Sequence, residues 1–207
     1  MKVDIGTDKI IAELKKKERE REECNQVARA IVRECSLAIN HIHCKEFEKS
    51  LEKIKGAKEL LGKNAGSRYI DLLNQAKQEY CEAFALYQIV VNGKLPAKAE
   101  IGVETEPYLT GLCDCSGELR REMLASLMKK DLKRAQYYFD MMDALHQAML
   151  PIRFTNSVLP GFRVKQDVLR KQLELARSEL FQAMLGFRCW RNARKQKLTI
   201  AYGKQKS

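Results

Sequence analysis

Between Ile10 and His43 the sequence contains neither glycine nor proline, and Val27, Ala28, Ile31, Val32, Cys35, Ala38, Ile39 and Ile42 recur at helical spacing. That spacing gathers them on one stripe of an α-helix and would scatter them over both faces of a strand, so the segment reads as one long amphipathic helix. The rest of the chain follows suit, because only eleven glycines and four prolines interrupt 207 residues. A second helix is expected over residues 45–61, ending at Gly62, and a third over 68–91, stopping at Asn92-Gly93. Residues 93–106 read as a loop. Thr105-Glu106-Pro107 then starts a fourth helix that reaches Met128, with proline in the first turn, where its missing N–H does least harm. Asp131 caps a fifth that ends before Pro151. After a second loop over 151–162, a last helix begins near Arg163. Nothing between these segments reads as a strand and no repeat is evident. The fold class is therefore all-α, a bundle of six or seven helices with long antiparallel members. The length fits one domain over residues 1–185, with 186–207 as a basic helix end and tail.

Lysine and arginine number 38 against 27 acids, a formal net charge of +11. Such an excess points to a polyanionic partner. Residues 186–207 contain seven basic residues, Arg188, Arg191, Arg194, Lys195, Lys197, Lys204 and Lys206, and no acid, which leaves only +4 for residues 1–185. The tail reads as an auxiliary nucleic-acid tether or a disordered extension on a nearly balanced body. No stretch approaches the ~20 apolar residues of a membrane span, and the start lacks the apolar block of a secretory signal. The expected compartment is the cytoplasm, with no membrane partner. Seven scattered cysteines, an odd number, do not form a disulfide framework. On a helix Cys113 and Cys115 point about 200° apart, which argues against zinc.

The acids are less ordinary. Leu72, Ala76, Ala83, Leu86 and Val90 lie on one stripe of the third helix, and Glu79 falls in the middle of it. Glu82, three residues on, lies about 60° to one side, so both carboxylates can point into one partly buried space. Burying an ionised carboxylate without a partner is costly, so a metal ion, an arginine or a raised pKa must compensate. On the fourth helix Asp114 and Glu118 share a face flanked by Gly111, Gly117 and Ala125, small residues that leave room for close approach. Two helices presenting E-x-x-E and D-x-x-x-E can offer four hard oxygen ligands to one or two Mg²⁺ or Mn²⁺ ions. Acid pairs at these spacings also occupy solvated helix faces, and the pattern alone leaves that alternative open. A di-iron bundle would need Glu-x-x-His, which is missing, and His41, His43 and His146 match no ligand spacing.

The run Tyr108-Leu109-Thr110-Gly111-Leu112-Cys113-Asp114-Cys115-Ser116-Gly117-Glu118-Leu119-Arg120-Arg121 resembles the signature of the translin family, in its translin-associated factor X branch. Gln78-Glu79-Tyr80-Cys81-Glu82-Ala83 resembles that branch's second motif. The resemblance implies a seven-helix, translin-like fold that assembles into hollow octameric barrels, with Mg²⁺-dependent endoribonuclease activity from subunits carrying all four acids. Glu79, Glu82, Asp114 and Glu118 coincide with that acid set. A short, single-subunit version is similar to a prokaryotic homo-oligomer.

The chemistry implied is hydrolysis of RNA phosphodiesters, with the four acids holding Mg²⁺ (Mn²⁺ substituting) and Glu82 placed to accept a proton from water. Arg121, about 20° from Asp114 on the helix, either contacts phosphate or pairs with an acid. Arg29 and Arg33 lie on a polar stripe of the first helix, either a solvated face or a contact for RNA backbone. RNA is the expected partner, single-stranded or partly structured, with single-stranded DNA as a further possibility, besides a second copy of the chain. Two other classes compete: a non-catalytic nucleic-acid-binding oligomer, and an all-α, Mg²⁺-dependent nucleotide pyrophosphatase, which also uses E-x-x-E.

Overall fold

A computed structural model describes the backbone of residues 5–203 and the side chains of residues 5–187. It contains seven α-helices: α1 (Thr7–His43), α2 (Phe47–Lys63), α3 (Asn74–Tyr87), α4 (Lys98–Ile101), α5 (Thr105–Met128), α6 (Leu132–Met149) and α7 (Phe162–Gly203). Among the described residues there is no strand. The expected third helix is divided: a 3-10 turn, Ile70–Leu73, precedes α3, and a π-helical turn, Gln88–Asn92, follows it. The chain stops there because Gly93 adopts φ +70°, a left-handed conformation that glycine accepts without steric cost. The loop over 93–106 contains one short helix, α4, where the Glu100 carboxylate accepts from the Ala97 N–H at 3.1 Å. The segment 186–207 begins within α7, and its basic side chains from Arg188 onward lie outside the described residues.

Residues 1–115 and 116–207 form two compact units, divided within α5. In the first, α1 and α2 make an antiparallel hairpin, with Lys53 on α2 paired to Glu34 on α1 at 3.1 Å, and α3 lies against both. Ile31, Cys35, Ala38 and Ile42 of α1, Ile54 and Ala57 of α2, and Ala76, Tyr80, Ala83 and Leu86 of α3 are all buried. Each large aliphatic side chain taken out of water contributes about 1.5–3 kcal/mol, and the alanines let the helix axes approach.

In the second unit α6 packs on α7. The buried face of α6 is Ala135, Tyr138, Met142, Leu145 and Met149, and that of α7 includes Leu169, Leu173, Ala176 and Leu180. Asp131 caps α6 as expected, its side chain accepting from the Arg134 N–H at 2.9 Å. Arg120 ties α5 to α7 through Glu179 and through Gln172 at 3.2 Å.

Candidate acidic site at the α3–α5 crossing

Gly111 decides how α3 and α5 meet. A Cβ at this position would stand 2.5 Å from the Gln78 carbonyl oxygen and 2.7 Å from the Cys81 Cβ, distances that real side chains do not tolerate. Only glycine lets the two helices pass this closely. The contact is fastened on both sides: Gln78 Nε2 donates to Asp114 Oδ2 at 2.6 Å, and the Cys81 thiol donates to the Tyr108 carbonyl at 3.3 Å.

Glu79 and Glu82, on α3, are both half-buried, and so is Asp114 on α5. The stripe read from the sequence is buried at Ala76, Ala83, Leu86 and Val90, and Glu79 lies half-buried among them. Burial extends beyond that stripe to Lys77, Tyr80, Cys81, Ala85 and Tyr87, so the buried surface wraps most of α3. Burial is this broad because α3 is covered by α1 and α2 and, at Gly111, by α5. The Glu79 carboxylate accepts from Gln75 Nε2 at 2.8 Å.

The fields of these acids converge on two buried thiols. Burial, and after it the charges of Glu79, Glu82 and Glu34, push the Cys35 thiol far above its ordinary value. Burial, then Glu82 and more weakly Asp114, do the same to Cys81. The neighbouring Tyr80 phenol is pushed up to about 12, chiefly by burial. The unit therefore brings Glu79, Glu82 and Asp114 into one electrostatic neighbourhood, with Glu34 of α1 beside it.

The remaining expected residues are placed differently. Glu118 is one turn beyond Asp114 on α5, at the start of the second unit, and pairs with Arg121 at 3.7 Å. Arg121 is thus the partner of an acid in this structure. Arg29 and Arg33 are exposed on α1, and Arg29 pairs with Glu22 at 2.6 Å. Among the described residues no three His, Cys, Asp or Glu side chains converge closely enough to hold a metal ion. The donor set nonetheless fits a hard cation: half-buried carboxylates on two helices in contact, two of them hydrogen-bonded to neutral glutamine amides rather than to a cation.

A model of the translin family matches residues 1–178. The chain belongs to the translin family. It is 31% identical to an uncharacterised protein of Methanocaldococcus jannaschii over 177 residues, 83% of this chain and 79% of that relative. Among solved structures it is similar to AfC3PO in complex with duplex RNA, at 27% identity and a TM-score of 0.79 over 88% of this chain and 98% of that one. The crystal structure of AfC3PO matches at 28% identity and a TM-score of 0.80, with the same coverage. The resemblance carried by the two motifs and the all-α, translin-like fold both hold.

Within this translin-family site, sequence reasoning missed Gln78 and Glu34. Gln78 opens the second motif, but nothing in its type or position separates a polar surface residue from one aimed across a helix crossing. Glu34 is followed by the buried Cys35, and on the helix a neighbour of a buried residue carries no distinguishing signal.

Proposed function

We propose that this translin-family protein is a metal-dependent endoribonuclease whose acidic residues lie on α3 and α5. The observation that carries the reading is the glycine-enabled crossing that sets the helix bearing Glu79 and Glu82 against the helix bearing Asp114, with Gln78 hydrogen-bonded to Asp114. The RNA complex of AfC3PO supports RNA as the substrate class. Glu79, Glu82, Asp114 and, by the sequence motif, Glu118 are the residues to hold Mg²⁺, with Mn²⁺ as a substitute; when bound, the ion supplies an activated water and neutralises charge building up on the phosphate. Gln78 fixes the Asp114 carboxylate by donating to Oδ2. Glu82 is the group that accepts the proton of the attacking water, and as the P–O3′ bond breaks the leaving O3′ takes a proton from solvent, giving a 3′-hydroxyl and a 5′-phosphate. Self-association into a homo-octamer belongs to the same reading, and light scattering checks it.

The test uses end-labelled RNA with the pure protein in Mg²⁺ and in EDTA, with NTPs as a parallel substrate. Glu79→Gln and Asp114→Asn are expected to abolish metal-dependent cleavage while the circular-dichroism spectrum stays helical. Cleavage that survives either substitution in a folded protein refutes the assignment. A second reading, a non-catalytic RNA-binding oligomer, is favoured by the separation of the carboxylates in this structure. Its outcome is salt-dependent RNA binding without cleavage in any metal.

A further inference from the structure

A cavity of about 370 Å³ opens in the second unit, where the end of α6, the loop to α7 and the first turns of α7 meet. Its polar lining is His146, Arg153, Arg163, Gln166, Asp167 and Arg170. Three guanidinium groups face one carboxylate, an excess of positive charge that folding has gathered from segments up to 24 residues apart in sequence.

The lining is partly committed and partly free. Gln166 donates to the carbonyls of Met149 at 2.7 Å and Ile152 at 3.3 Å, which fixes the loop against α7. Arg170 pairs with Asp167 at 3.5 Å, and both side chains are more than half exposed. Arg153 uses only Nε, donating to the Leu150 carbonyl at 3.4 Å, so its two terminal amino groups remain available. Nδ1 of His146 is buried with no hydrogen-bond partner. A buried N–H without an acceptor is costly, so the favoured tautomer leaves Nδ1 bare and carries the proton on Nε2 as a donor. Arg163 sits at the second residue of α7, where the positive end of the helix dipole adds to its charge. Arginine forks match the oxygens of a phosphate, and a concave site with several of them holds an anion better than a flat basic surface does.

We propose that this cavity binds a phosphate group of an RNA strand, terminal or internal, as a contact separate from the acidic residues of the first unit. The source of the phosphate rests on the RNA reading above; the phosphate chemistry rests on the cavity alone.

The test compares wild type with Arg163→Gln/Arg170→Gln and with a charge-matched control, Lys133→Gln/Lys171→Gln, both control residues being exposed. Inorganic phosphate is expected to raise the melting temperature of the wild type and the control but not of the arginine variant. In EDTA, fluorescence anisotropy with one short RNA bearing a 5′-phosphate, a 3′-phosphate or neither is expected to show about tenfold weaker binding by the arginine variant alone, as the loss of charge-assisted hydrogen bonds requires. A loss confined to one phosphorylated end marks a terminal phosphate, and an equal loss for all three RNAs marks an internal one. Three results overturn the proposal: unchanged RNA affinity in the arginine variant; an equal loss in the control, which is non-specific charge; or phosphate stabilisation with no effect on RNA, which assigns the cavity to free phosphate. Because this binding is read in EDTA, an inactive enzyme that still shows the arginine-dependent binding sinks the nuclease reading alone.

Discussion

Replacing Gly111 by alanine tests the geometry on which the acidic site depends. The new methyl would stand 2.5 Å from the Gln78 carbonyl oxygen, a backbone atom that no rotamer change can move. Restoring ordinary contact means opening the α3–α5 crossing by roughly 1 Å. Overpacking costs about 1–3 kcal/mol, and a clash with a fixed backbone atom lies in the upper part of that range, about 2–3 kcal/mol; alanine in a helix interior gains about 1 kcal/mol over glycine, so the net change is a loss of about 1–2 kcal/mol. Gly117 provides the opposite case on the same helix. A Cβ there meets nothing within 4 Å, so Gly117→Ala is expected to stabilise by about 0.5–1 kcal/mol. The two alanine variants should therefore differ by about 2 kcal/mol, roughly thirtyfold in the unfolding equilibrium. Urea denaturation at one fixed protein concentration measures this, since the proposed self-association would make apparent stability depend on concentration. If Gly111→Ala matches or exceeds the wild type in stability, the close crossing is wrong.

The Gln78→Leu variant removes the amide that holds Asp114 and should leave a folded protein whose Mg²⁺ requirement for RNA cleavage rises about tenfold, read by metal titration. Glu104 lies below its ordinary 4.5, first because of the hydrogen bond from Lys77, whose side chain is almost wholly buried. A depressed folded-state pKa stabilises above the unfolded value and loses that contribution as pH falls through the folded one, so Glu104→Gln should flatten the loss of stability below pH ~4.5. Thiol titration of the folded protein should find Cys44, which is exposed, reacting quickly, while buried Cys35 and Cys81 react only on unfolding. Cys44→Ser should remove one fast thiol, and Cys35→Ser or Cys81→Ser none.

Much of the fold is legible in the chain because helical periodicity is a local property. The run from Ile10 to His43 is one helix, the stop at Asn92-Gly93 and the cap at Asp131 are where the residues demand them, and Pro151 follows the end of α6. The misplaced detail is instructive. The third helix is broken into a 3-10 turn, α3 and a π turn, because departures from the i→i−4 ladder are set by what packs on each side rather than by composition. At the site, the acids on α3 and α5 and the buried stripe around Glu79 can be found from spacing, but the full extent of burial cannot. Cover from α1, α2 and α5 extends it to Lys77, Tyr80 and Cys81.

The sequence by itself determines which residues share a helix face: Glu79 with Glu82, Asp114 with Glu118, Arg29 with Arg33. It also determines the family, through the two motifs around those acids. The tertiary structure alone decides which faces meet and how closely. Gln78 reaches Asp114 across 36 residues of chain, and Arg153, Arg163 and Arg170 meet around one cavity. The reason is physical. A residue's angle about its own helix axis follows from the fixed turn per residue, whereas the distance between two helices depends on every side chain, and every missing one, at their crossing. At Gly111 the missing side chain sets that distance.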